Sequence, residues 1–182
     1  MDRPDTARLV GDLMRLGTIE SVDPAHATCR VRVGDIVTGD LPWLAGRAGG
    51  TKCWSPPTVG EQGMLFCAEG DTGAGVVMPG LFSNANAAPS SEAIELVEYE
   101  DGARVSYDAA AHALKAILPA GATLTIEADG GLSIKGDVAL DGKLIVTGTI
   151  DADGEVTGKG IALSTHKHGG VQAGAAKTGV PE

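Results

Sequence analysis

Two imidazoles stand two residues apart near the C-terminus, in Ser164-Thr165-His166-Lys167-His168-Gly169-Gly170. In an extended strand, residues i and i+2 project from one face, about 7 Å apart along the chain. One chain therefore offers a pair of imidazoles, too few to close a metal site. A threefold axis changes the count, because three copies bring six as two stacked triangles, and that is octahedral geometry. Six imidazoles suit a borderline divalent metal such as iron or nickel, whereas structural zinc prefers four ligands. The plainer account of a His-x-His in a Gly-rich tail is a solvated loop, so the choice rests on the elements that carry it.

Those elements repeat. Gly130, Gly136, Gly142, Gly148, Gly154 and Gly160 recur every sixth residue, with Leu132, Val138, Leu144, Ile150 and Val156 in the same register. A second apolar track, Ile134, Leu140, Val146 and Ala152, follows two residues after the first. Positions two apart on a strand share a face, so each hexad predicts a short strand with two inward side chains and a glycine where the chain turns or packs closely. A unit of this size cannot bury its apolar face alone and must stack on copies of itself. In a single-chain left-handed β-helix three hexads make one coil, and the hexads here fill barely two coils. In an intertwined trimer the same hexads form a slender triangular prism whose core three chains supply jointly. The count favours the trimer over the single-chain helix and over a short two-sheet sandwich with accidental glycine spacing.

Upstream the patterning is different. Asp5 to Leu16 carries Leu9, Val10, Leu13, Met14 and Leu16 at helical spacing between Pro4 and Gly17, which predicts a short amphipathic helix over 1–16 that docks on a partner surface. From Gly17 the period becomes two. Thr18 to Val22, a turn at Asp23-Pro24, and Ala27 to Val33 with Cys29, Val31 and Val33 on one face predict a hairpin. Further strands are expected at Ile36 to Leu41, Gly63 to Ala68 and Gly75 to Leu81, and a small OB-like barrel over 17–83 accommodates them. The small polar residues from Asn84 to Ser91 predict a linker over 84–92. Ala103 to Tyr107, Ala113 to Leu118 and Thr123 to Glu127 alternate as strands, with Val105, Tyr107, Leu124 and Ile126 as inward candidates. The spike region is then 93–163 and the apex 164–182.

Composition excludes other chemistries. The 182 residues carry a net charge of −10 and two each of Trp, Tyr and Phe, so the surface repels phosphate and has few rings on which to stack bases. No nucleic-acid partner is expected. No run approaches a membrane span, and Met1-Asp2-Arg3-Pro4-Asp5 lacks a signal-peptide core, so synthesis in the cytoplasm is expected. Cys29, Cys53 and Cys67 show no CxxC spacing and read as buried free thiols. Asp151-Ala152-Asp153-Gly154-Glu155 lacks the spaced ligands of an EF-hand and reads as a solvated turn. Ser106 and Ser133 lack His and Asp partners for a hydrolase triad, so no catalytic residues are assigned.

The order of barrel, glycine-punctuated β-helix and terminal Thr165-His166-Lys167-His168-Gly169 resembles the baseplate assembly protein V, or central spike, family of contractile-tailed bacteriophages and R-type pyocins. Val59-Gly60-Glu61-Gln62-Gly63 and Gly75-Val76-Val77-Met78-Pro79-Gly80-Leu81-Phe82 carry the resemblance through the barrel, and it covers essentially the whole chain. It implies an all-β homotrimer at the tip of the tail, an OB-like barrel followed by an intertwined β-helix with a metal-capped apex. It further implies one iron ion, as Fe2+, held by His166 and His168 of all three chains. Baseplate hub and tail tube proteins are the implied partners, with transient contact at the host outer membrane, which the spike pierces. Such a protein resides in the virion and is not an enzyme. The alternative is a trimeric hexapeptide-repeat acyltransferase with His166 or His168 as general base. Tightly bound iron at one atom per three chains distinguishes the spike from the enzyme.

Overall fold

The structure is a computed structural model that describes residues 11–167, 170 and 174. It divides into two units, Met1–Thr125 and Ile126–Glu182.

In the first unit, alternating apolar residues build a six-stranded antiparallel sheet, with β1 (Met14–Asp23), β2 (Thr28–Val33), β3 (Ile36–Val37), β5 (Gln62–Phe66) and β6 (Val76–Leu81) in the order β3-β2-β1-β5-β6 and β4 (Leu41–Pro42) pairing with β2. Trp43, next in chain, bridges Val77 of β6 in parallel, and the Leu44 amide donates to the Val77 carbonyl at 2.8 Å. That bridge joins the two ends of the sheet and closes it into a small barrel, which removes the free edge an open sheet would carry. Ile19, Cys29, Val31, Leu41, Leu65, Cys67 and Val77 fill its interior, with Val22, Val33 and Trp43 against them. Cys29, Val31 and Val33 thus share the inward face, as their spacing predicts. Thr38 is buried between them and solvent, and its hydroxyl accepts from the Val31 amide at 3.0 Å and donates to the Gly39 carbonyl at 2.9 Å.

Gly17 and Gly63 face each other across β1 and β5. A Cβ on Gly17 would lie 2.3 Å from Val31 Cγ1, and one on Gly63 would lie 2.8 Å from the Met78 carbonyl oxygen. Close approach, not turn geometry, requires glycine at both places.

The outer face of this barrel is divided. On one side Arg32 grips Glu20 and Arg30 grips Asp40 through two nitrogens each. On the other, the register places Met14, Phe66 and Val76 in one row and Leu16, Met64 and Met78 in the next, all outside the core.

Several expectations are corrected here. Met14 to Leu16 belong to β1 and not to a helix, and residues 1–10 of that predicted helix lie outside the described residues. The apolar pair Met14 and Leu16 fits a period of two as well as a helical one, and pairing with Phe66 and Met64 decides the matter. Cys53 is exposed, unlike Cys29 and Cys67, because it lies in the long loop after β4 and not on an inward strand position. The stretch read as a linker partly adheres to the barrel, with Asn86 Nδ2 donating to the Gly60 carbonyl at 3.1 Å.

The same unit contains a second antiparallel sheet, β7 (Glu95–Glu98), β8 (Arg104–Asp108) and β9 (Ala113–Ile117), in the order β7-β8-β9. Register puts Val97, Val105 and Ala116 in one row and Glu95, Tyr107 and Leu114 in the next. One face therefore presents Val97, Val105, Tyr107 and Leu114, and all four remain exposed.

The second unit is unlike either sheet. Residues 126–156 form no strand with any other part of the chain among the described residues, and the strand expected at Thr123 to Glu127 is likewise absent. Gly136 and Gly142 hold φ of 135° and 152°, conformations that disfavour any side chain. Leu132, Val138, Leu144 and Ile150 are 65% to 69% exposed. Leu124 and Ile126, expected inward, are exposed as well. No helix among the described residues is long and apolar enough to cross a membrane.

Candidate metal apex

Where the hexads end, the chain reverses. β10 (Thr157–Gly158) pairs antiparallel with β11 (Ile161–Ala162) through Lys159 and Gly160, whose φ values of 49° and 79° make the two-residue turn that matches strand twist. Gly160 is the last glycine of the six-residue series, so the residue that keeps the period is also the one that permits the turn. The hairpin is extended by the Leu163 amide donating to the Val156 carbonyl at 2.8 Å. One step further out, Glu155 accepts twice from Ser164: Oε1 takes the backbone amide at 3.1 Å and Oε2 takes the hydroxyl. These hydrogen bonds from Ser164 hold the Glu155 carboxyl below the usual glutamate range.

His166 follows directly. Its Nδ1 lies 2.8 Å from the Leu163 carbonyl oxygen. A carbonyl can only accept, so Nδ1 carries the proton and the neutral ring has its lone pair on Nε2. A backbone carbonyl on one ring nitrogen and a metal on the other is the usual way a ligating histidine is oriented. The ring is exposed, and its donor chemistry therefore fits a divalent metal through Nε2. His168, the other predicted ligand, lies outside the described residues. Among the described residues of one chain, no group of three His, Cys, Asp or Glu side chains comes together.

Sequence alone reads Glu155 as part of a solvated turn, whereas the structure pairs it with Ser164. Its role depends on a hairpin that brings it to Ser164, nine residues away, and the sequence signal for that hairpin is no more than Lys159-Gly160 between two short runs of strand-forming residues.

A closed small barrel, a six-residue repeat without strands among the described residues and a hairpin just before His166 together define a class: an all-β protein with an OB-type barrel. Residues 15–82 match the type VI secretion system/phage-baseplate injector OB domain, and residues 160–182 match the GpV apex motif. The chain is similar to the spike protein of Escherichia phage P2, 29% identical over 204 residues that cover 97% of this chain and 96% of the relative. These similarities bear out the resemblance to the baseplate central spike family carried by the barrel and terminal motifs.

Proposed function

We propose that three copies of this chain form the central spike at the tip of a contractile tail and pierce the host outer membrane when the tail contracts. The observation that carries the reading is the hexad tract: its apolar side chains recur in a strict register, yet within one chain they face water. Leaving so many Leu, Ile and Val side chains exposed forfeits about 1.5–3 kcal/mol for each one that burial would recover. Three chains wound about one axis bury both tracks and pair the backbone groups that a single chain leaves without strand partners. The apolar face of β7, β8 and β9 is a further surface for the same association. Domain limits at 17–83 for the barrel, 93–163 for the spike and 164–182 for the apex are part of this reading.

Function then lies in stiffness and not in turnover. A closed trimeric prism has no free strand edge, and its acidic exterior has no lipid-facing apolar band, which favours transient puncture over stable insertion. One Fe2+ on the axis, held by His166 and His168 of each chain, ties three ends that otherwise fray. Six nitrogens leave no open position for water or substrate, so the ion is structural. The outward rows Met14, Phe66, Val76 and Leu16, Met64, Met78 offer an apolar, adaptable surface for hub and tail tube proteins in the virion. The acyltransferase reading gains no support from the relatives, which are a spike protein, an injector barrel and an apex motif.

Light scattering and elemental analysis of the full chain test the proposal together. A threefold mass with one iron per three chains is expected. Changing both His166 and His168 to alanine should remove the iron and leave the trimer assembled, because the hexads hold it independently. A monomer, or a double variant that keeps stoichiometric iron, overturns it.

A further inference from the structure

The Glu155 clamp and the His166 contact meet on one peptide group. The Leu163 carbonyl and the Ser164 amide belong to the same planar unit, and in a trans peptide they point in opposite directions. Glu155 Oε1 accepts from the amide side at 3.1 Å, and His166 Nδ1 donates to the carbonyl side at 2.8 Å. Rotation of that plane is further restrained because Glu155 Oε2 holds the Ser164 hydroxyl and the Leu163 amide is tied to Val156. Gripping one edge of a rigid plane fixes the direction of the other.

We infer that Glu155 is a positioning residue of the apex: through the Leu163–Ser164 peptide it orients the carbonyl that holds His166 Nδ1, and so directs Nε2 toward the metal. This rests on the apex reading above. The two hydrogen bonds of the Glu155 carboxylate both come from Ser164, and there it acts as an acceptor. The lowered pKa of Glu155 agrees with a carboxylate that accepts two hydrogen bonds in its charged form. The position accordingly calls for a side chain of this length with an acceptor at its end. Nothing in the six-residue period requires that, since Glu155 lies between Gly154 and the inward Val156.

The test is the rate at which iron leaves the full-length trimer in excess chelator, read beside trimer mass and melting. Partners that orient a ligating histidine typically contribute about 10–100-fold to metal affinity. Glu155→Ala should therefore release iron at least about tenfold faster with the trimer intact. Glu155→Gln keeps an oxygen for the Ser164 amide and should restore slow release, which a loss of general stability would not predict. Ser164→Ala removes the hydroxyl but keeps the gripped peptide, and its release should stay near that of the parent. If Glu155→Ala fails to assemble, Glu155→Met keeps the length of the stem without the acceptors and serves in its place. Parent-like release from the alanine or methionine variant overturns the inference, as does a glutamine variant no slower than alanine. A parent chain without iron overturns the apex reading and this inference with it, whereas iron-loaded parent and unchanged variants sink the clamp alone.

Discussion

The barrel and the hexad tract are both built from alternating Val, Leu and Ile, yet they behave oppositely as single chains. In the barrel Leu65 and Val77 are 0% exposed, whereas Leu144 in the hexads is 69% exposed. The difference lies in where strand partners come from. β1, β2, β5 and β6 are joined by turns and loops that return the chain to its own edge, and Trp43 closes the circuit. The hexads succeed one another with six residues per repeat and no connection long enough to bring a partner back, so their apolar faces stay exposed within one chain. Apolar content therefore does not distinguish a self-sufficient fold from an assembly surface, but connectivity does.

The largest expected effect breaks the tract. In the proposed trimer, Leu144→Asp places three carboxylates on a dry axis, where an unpaired buried charge costs far more than the association can absorb. Loss of the trimer in sedimentation is expected, with the barrel still folded. A variant that stays trimeric with unchanged melting refutes the inward position of Leu144.

A smaller effect breaks the barrel alone. Leu65→Ala empties the middle of its core and should cost about 2–5 kcal/mol in barrel unfolding. Trp43 packs against that core, so its fluorescence reports the transition. Sedimentation should show the trimer unchanged. If Leu65→Ala disperses the trimer, the two regions do not hold themselves independently and the comparison fails.

The smallest effect sharpens the barrel side, at the β1–β2 turn. His26 Nδ1 lies 2.7 Å from Asp23 Oδ2, while Asp23 Oδ1 accepts from the Ala25 amide at 3.0 Å. The hydrogen bond and charge of Asp23 raise the His26 pKa above its ordinary value of about 6.5, and His26 lowers that of Asp23. A raised histidine stabilises the turn fully below its unfolded value and loses that contribution as pH rises through the folded one. A depressed aspartate contributes above its unfolded value and loses it as pH falls through the folded one, so the tie is strongest in mildly acidic solution. Proton NMR of the His26 ring should give a midpoint above 6.5, and Asp23→Asn should bring it down. A midpoint at or below 6.5 in the parent rules the tie out.

Much of this architecture was legible in the chain. The Cys29, Val31 and Val33 alternation and the Asp23-Pro24 turn are legible, because a period of two and an Asp-Pro step together point to a hairpin. The start of β1 was not legible, because Leu13, Met14 and Leu16 fit two periods and only pairing with β5 chooses between them. Nor was Glu155, whose partner is nine residues away across a turn with a weak signature.

The sequence by itself determined the all-β class, the barrel's inward face, the six-residue repeat and the position of the His-x-His pair after it. Those are properties of local period and residue type, which act over a few residues and need no knowledge of the rest of the chain. Tertiary structure alone decided that Trp43 closes the barrel on Val77, that Gly17 and Gly63 must be bare to let strands cross, that Cys53 faces water, and that Glu155 and His166 hold opposite edges of one peptide. Each of these depends on two segments meeting in space, and a contact between distant residues leaves no periodic trace in either segment.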